Sequence, residues 1–256
     1  MPIDLAGKTA LVTGASRGIG RAIAVGYAEA GADVAINARS AEALAETRDA
    51  VEALGRKAVV VPADVTDRDA VRRMVDDALA ALGRVDVVVN NAGGTAFMVP
   101  FTDLRFDGWT KVMRLNTESI VHVTQAIGPH LLDRGSGSVI NVASVAAITG
   151  TPGLSPYGAS KAAALSLTRS LAMEWGSRGV RVNALCPGWT ATDLNRVLWE
   201  NEEASRAMTA PIPLQRWGRA EEMVGAAVFL GSDASSYVTG QAIVVDGGLT
   251  AGTRGA

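Results

Sequence analysis

Short runs of β-branched and apolar residues recur along the chain, at 9–13, 33–37, 57–61, 85–90, 138–142, 180–186 and 242–245. They are continuous rather than alternating, as strands covered on both faces must be. Longer Ala- and Leu-rich stretches with helical spacing lie between them, among them 21–30, 41–54 and 68–82. This alternation predicts an α/β chain: one single-domain Rossmann fold over 1–256, a doubly wound parallel sheet of seven strands with helices on both faces. The one irregular stretch, roughly 189–218, precedes a late helix and is long enough to close over a bound substrate as a lid.

Composition narrows the classes of function. With 48% hydrophobic residues among 256, the chain is too apolar for a disordered segment. A net charge of −2 gives no basic surface for a nucleic-acid partner. No run reaches the ~18 apolar residues of a membrane span, and Asp4 with no apolar core behind it argues against a signal peptide. One cysteine, Cys186, excludes an internal disulfide and a multi-cysteine metal site, and the two histidines, His122 and His130, leave no metal centre expected. The expectation is a cytoplasmic protein acting on a small molecule.

The first strand runs into Thr13-Gly14-Ala15-Ser16-Arg17-Gly18-Ile19-Gly20 and then a helical stretch. Glycines at 14, 18 and 20 permit a tight turn whose free N–H groups and helix N-terminus face a pyrophosphate. The position between strand and helix, more than the glycines themselves, gives the motif its weight. The second strand ends at Asn37-Ala38-Arg39-Ser40, where an NAD enzyme would often place an acid for the ribose 2′-hydroxyl. That acid is missing. Arg39 and Arg17 offer planar donors for a 2′-phosphate instead, so NADP(H) is favoured, with NAD(H) the alternative.

Tyr157 and Lys161, four residues apart (161 − 157), lie on one face of a helix. Tyrosine, with an unperturbed pKa near 10, is a poor base at neutral pH, and a nearby ammonium is expected to favour its phenolate. Such a pair suits proton exchange with a hydroxyl or carbonyl oxygen. Ser144 ends the fifth strand, on the carboxyl edge where open α/β sheets bind ligands, and Asn90-Asn91-Ala92-Gly93 follows the fourth at the same edge.

On these residues the chain resembles the short-chain dehydrogenases/reductases over nearly its whole length. The glycine turn resembles the family's cofactor turn, Asn90 to Gly93 its sheet-stabilising motif, and Ser144 with Tyr157 and Lys161 its catalytic set. The resemblance implies further roles. Asp64 and Val65 would contact the adenine ring, and Asn91, Ala92 and Gly93 would border the cofactor. Asn116 would complete a catalytic tetrad by orienting a water near Lys161, which would also hold the nicotinamide ribose. Pro187, Gly188, Thr190 and Thr192 would hold the nicotinamide amide and phosphates. Homotetramers are the family's usual state, built on the helices expected at about 107–133 and 156–176 and on the last strand, with Met113, Val121, Met173 and Trp175 as candidates for burial there.

Other residues take plainer readings: Cys186 as a small packed hydrophobe, His122 as a packed helix residue, His130 near a helix end where a histidine favours the dipole, and Glu200, Glu202 and Glu203 as a solvated helix face. Substrate should meet 94–108, 145–156 and 189–213, where Arg105 and Arg196 are the anion candidates. The stretch from Pro211 to Gly218 and on into 220–225 is similar to members acting on sugar acids and polyols, and also to 3-oxoacyl-carrier-protein reductases. A catalytically silent dinucleotide-binding sensor is the alternative of another class; it would need the glycine turn but not Ser144, Tyr157, Lys161 and Asn116.

Overall fold

A computed structural model describes residues 3–252. Its seven strands are β1 (Thr9–Val12), β2 (Asp33–Ile36), β3 (Ala58–Val60), β4 (Val87–Asn90), β5 (Gly137–Val142), β6 (Val180–Pro187) and β7 (Ala242–Val245). They form one parallel sheet in the order β3-β2-β1-β4-β5-β6-β7. The order reverses between β1 and β4, so the loops after these two strands diverge and open a crevice at the carboxyl edge.

The helices are α1 (Gly18–Glu29), α2 (Ala45–Ala53), α3 (Arg68–Leu82), α4 (Phe106–Met113), α5 (Ser119–Arg134), α6 (Ser155–Trp175), α7 (Arg196–Trp199), α8 (Glu202–Thr209) and α9 (Val224–Gly231). Successive strand residues point to opposite faces, so each apolar run feeds two cores. Val12, Ile36, Val89 and Ile140 pack with Ile23 and Tyr27 of α1 and with Ala227 of α9. Leu11, Ala35, Val88 and Val139 pack with Val71 and Val75 of α3 and with Val123 and Ile127 of α5. The continuous, non-alternating strands are explained by this double burial.

Three local features have physical causes. The helix expected at about 107–133 is broken by a π turn at Arg114–Glu118. There Asn116 Nδ2 donates to Val112 O, the carbonyl that its own backbone N–H would meet in an α-helix (3.0 Å). The ladder slips by one residue, and the Ser119 N–H reaches Arg114 O. The irregular 189–218 stretch contains α7 and α8, and its ends are stapled together. Ala191 N–H donates to Gly218 O and Gly218 N–H to Trp189 O, both at 2.9 Å, with the Trp189 and Trp217 rings edge to face at 5.8 Å. His130, near the end of α5, is engaged through its ring. Its Nε2 accepts the Val85 N–H at 3.2 Å, and burial, helped by Arg134, holds its pKa below the ordinary value.

Candidate active site

The glycine turn is braced from three sides. Gly14 and Gly18 adopt φ of 64° and 55°, the left-handed region that glycine enters without penalty. A Cβ on Gly20 would stand 2.2 Å from Gly14 O, so only glycine lets α1 start this close to the turn. Ala15 N–H donates to Asn37 O (2.8 Å), and Thr47 Oγ1 donates to Ala15 O (2.8 Å). From the turn after β4, Asn91 Nδ2 donates to Thr13 O and Gly14 O (2.9 and 3.1 Å), while Thr13 Oγ1 accepts the Asn91 and Ala92 N–H groups. Asn91, expected to border a cofactor, gives its amide to shaping the turn.

Arg17 and Arg39 stand exposed beside this cradle, and among the described residues neither guanidinium has a hydrogen bond or ion pair. Arg21 and Arg48, by contrast, are paired with Glu46 and Asp49. Ser40 Oγ accepts the Ala43 N–H (3.4 Å), and Asp64 Oδ1 accepts both the N–H and hydroxyl of Thr66 (2.8 Å each). Val65 is buried, and its carbonyl faces His122 Nδ1 at 3.2 Å. A narrow turn that a Cβ would fill, a helix N-terminus and two unpaired guanidinia suit a dinucleotide carrying an additional phosphate.

At the end of β5, Ser144 Oγ accepts the Ala146 N–H (3.1 Å), and its hydroxyl also interacts with the Tyr157 phenol. Tyr157 and Lys161 come from the first turns of α6. Lys161 is 3% exposed; its Nζ donates to Val142 O at 2.7 Å and lies 5.7 Å from the centre of the Tyr157 ring. A Cβ on Gly93 would stand 2.5 Å from Asn116 Oδ1 and 3.1 Å from Lys161 Nζ, so a missing side chain lets these two groups converge. The Asn116 carboxamide is fully engaged. Its Oδ1 accepts the Gly94 N–H (2.7 Å), and its Nδ2 donates to Gly94 O (2.9 Å) and Val112 O.

The electrostatics differ from the expectation for Tyr157. Burial pushes its phenol above the ordinary value, opposed by a hydrogen bond with Ser144 and reinforced by Cys186. Burial also lowers the Lys161 ammonium to about 8. In the protein alone desolvation thus outweighs the Ser144 hydrogen bond at the phenol. Cys186 is fully buried and burial pushes its thiol up to about 11, as a packed, unreactive cysteine requires.

Behind this group lies a buried polar chain that the sequence reading missed. Asn90 Nδ2 donates to Thr124 Oγ1 (3.1 Å) and Asn141 Oδ1 (2.8 Å), and Asn141 Nδ2 donates to Thr168 Oγ1 (2.9 Å). The available signal was an asparagine inside each of two apolar runs, at positions that pair across β4 and β5. Of the nicotinamide-side candidates, Gly188 packs on Asp246, Thr190 Oγ1 donates to Gly188 O (3.2 Å), and Thr192 shares a capping box with Asn195. Pro187 ends β6. Arg196 is tied to Asp193 and Glu200, and Arg105 to Asp107.

A doubly wound sheet with a glycine turn after β1 and a Ser–Tyr–Lys group at its carboxyl edge defines a nicotinamide-dependent oxidoreductase. The family model for enoyl-(acyl carrier protein) reductase matches residues 14–250, and the chain belongs to the short-chain dehydrogenase/reductase family. It is 42% identical over 247 residues to the gluconate 5-dehydrogenase of Gluconobacter oxydans, covering 96% of each chain. It is 39% identical over 245 residues to a 3-oxoacyl-(acyl-carrier-protein) reductase of Thermotoga maritima, covering 96% of this chain and 98% of that one. The structure of a gluconate 5-dehydrogenase from Burkholderia cenocepacia in complex with NADP and tartrate superposes with a TM-score of 0.94 at 38% identity, covering 98% of both chains. The chain is an NAD(P)-dependent oxidoreductase of secondary alcohols and ketones.

Proposed function

We propose that the chain, as one domain, interconverts a secondary alcohol and its ketone with NADP(H) preferred over NAD(H). The observation that carries the catalytic assignment is the buried Lys161, held on Val142 O against Tyr157 and beside Ser144. When bound, the cofactor supplies a hydride to the carbonyl carbon or accepts one from the carbinol carbon. Ketone, hydride and one proton then make the alcohol. Tyr157 gives that proton at the substrate oxygen in reduction and takes it in oxidation. Ser144 donates its hydroxyl proton to the same oxygen and holds it against Tyr157. Lys161, as a cation, favours the phenolate formed when the proton leaves, and its remaining N–H groups would hold the nicotinamide ribose. Asn116, with its carboxamide engaged on Gly94 and Val112, supports the relay by fixing the π turn and the Gly94 backbone rather than by turning its side chain to a water.

In the same reading Gly14, Ser16, Gly18, Ile19 and Gly20 cradle the pyrophosphate, and Arg17 with Arg39 and Ser40 takes the 2′-phosphate. Asp64 and Val65 border the adenine, Ala92 and Gly93 the nicotinamide ribose, and Pro187, Gly188, Thr190 and Thr192 the amide and its phosphate. The support for NADP(H) is the unpaired state of the two arginines, joined by solved relatives bound to NADP. The relatives' substrates name two classes to try first, sugar acids with their polyols and 3-oxoacyl thioesters. A cytoplasmic homotetramer completes the proposal. Its support is a single cysteine that is buried, together with Met173, which is 86% exposed where a packed position was expected.

The test follows nicotinamide absorbance with purified protein and a panel of carbonyl compounds. Turnover should be faster with NADPH than with NADH, and Tyr157→Phe should lower kcat by at least about 100-fold while NADPH still binds. Equal turnover in the variant would remove Tyr157 from the catalytic assignment, and no turnover in either protein while NADPH binds would favour the cofactor-sensor reading. Loss of the NADPH preference in Arg39→Ala is expected; an unchanged preference would remove Arg39 from the phosphate site.

A further inference from the structure

The loop after β3 is held from two directions. Asn37, just past β2, donates Nδ2 to Val61 O (2.9 Å) and Ala63 O (3.2 Å), and Ala63 N–H donates to Ala38 O (2.9 Å). These bonds set the first half of the loop against the strand end that carries Arg39. The second half is held by side chains from a distant stretch of the chain. Arg114, the first residue of the π turn, donates Nη2 to Thr66 O (3.4 Å). Two turns further on, in α5, His122 sets Nδ1 3.2 Å from Val65 O. A carbonyl only accepts, so Nδ1 carries the proton of this bond. Of the two contacts it is the shorter, and it comes from a half-buried ring rather than an exposed guanidinium.

Val65 itself is buried in one core with Ala63, and Ala92 packs against that core. Among the described residues its N–H has no acceptor. A ring lying in this corner would meet a backbone donor whose direction depends on the next peptide, the one His122 holds. The same segment, 114–122, also carries Asn116, whose carboxamide clamps Gly94. One helical stretch thus braces the loop after β3 through Arg114 and His122 and the catalytic edge through Asn116.

We propose, building on the cofactor reading above, that His122 is a positioning residue for the adenosine end of the cofactor, with Arg114 as its weaker companion. Its Nδ1–H fixes the Val65 peptide, and with it the wall against which the adenine lies. The residue acts on this loop and not on Ser144, Tyr157 or Lys161, so its loss weakens binding and spares the hydride step.

The experiment titrates NADPH calorimetrically, and beside it adenosine 2′,5′-bisphosphate, which has the adenosine and its phosphates but no nicotinamide. The variants are His122→Phe, which keeps a flat ring and removes the donor, and His122→Asn, which puts an amide N–H near the position of Nδ1. We expect His122→Phe to raise Kd about three- to tenfold for both ligands, the effect of one lost hydrogen bond. At saturating NADPH its kcat should stay within about twofold of the unaltered protein, as loss of uniform binding requires. His122→Asn should restore both affinities to within about twofold. If phenylalanine disturbs folding, His122→Leu repeats the measurement. Unchanged affinity without the donor, equal weakening in His122→Asn, or a fall in kcat with Kd intact overturns the positioning role and leaves the cofactor reading standing. An unaltered protein that binds neither NADPH nor the bisphosphate overturns the cofactor reading and this inference with it.

Discussion

Gly93 lies where groups from two helical segments converge, and its hydrogen does the work of a spacer. Replacing it by alanine would place a methyl 2.5 Å from Asn116 Oδ1 and 3.1 Å from Lys161 Nζ. Because Asn116 is bonded at both ends, the displacement falls on Gly94 and the lysine. Gly93→Ala should lower kcat by about 100-fold, the usual cost of an ångström-scale misplacement, with a smaller effect on NADPH affinity. Single-turnover kinetics with titration of NADPH would separate the two, and an unchanged kcat would show that the site absorbs the methyl. Lys161 invites a different measurement. Its pKa falls from 10.5 in the unfolded chain to about 8 in the fold. Between those values the unfolded state binds more protons, so this residue makes stability rise with pH from about 8 to 10.5. Lys161→Met should remove that slope, worth at most about 1.4 kcal/mol per pH unit. Denaturant midpoints at pH 7, 8, 9 and 10 in both proteins would detect it, and parallel curves would mean that Lys161 keeps an ordinary pKa.

Two bonds on one face hold α6 on β5. Lys161 donates to Val142 O, and two turns further on Thr168 Oγ1 accepts from Asn141 Nδ2 while donating to Ala164 O. Thr168→Val leaves the buried Asn141 amide without its acceptor, so we expect a loss of about 1–3 kcal/mol in stability. A lowered kcat should accompany it, since the helix that carries Tyr157 is no longer pinned. A calorimetric midpoint unchanged within error would show that a water replaces the hydroxyl. The elements themselves were largely legible in the sequence. Seven apolar runs became seven strands, and the glycine turn, Ser144, Tyr157 and Lys161 met at one sheet edge, because burial periodicity and motif spacing are local properties. The π turn was not legible, since Asn116 reads as an ordinary polar helix residue until its amide is seen on Val112 O. The raised phenol of Tyr157 was equally hidden, because desolvation depends on what other segments pack over the ring. Within 189–218 the solvated helix face of Glu202 and Glu203 was legible and α8 carries it, while α7 was missed for want of a strong periodic pattern.

At the scale of the whole molecule, the two edges of the sheet are unlike. One edge, β3, has three residues; the other, β7, pairs only with β6 and leaves a row of backbone groups open to a partner. Around that second edge stand Val244, 37% exposed, and Tyr237, fully exposed. Met173 is close by, because its neighbour Ala172 touches the turn at Gly240, with Cβ 3.4 Å from where a Gly240 Cβ would be. A chain remaining alone would keep an open strand and three apolar side chains in water, the combination that soluble proteins cover or blunt. A closed assembly covers them symmetrically, and the homotetramer is the assembly we expect. Light scattering at working concentration should therefore give four times the mass of one chain. Met173→Asp, which puts a charge into the covered patch, should shift the population toward smaller species. Because Met173 lies at the far end of α6 from Tyr157, the smaller species should retain NADPH binding. A single-chain mass for the unaltered protein would defeat the assembly and leave Tyr237, Val244 and Met173 as ordinary exposed residues.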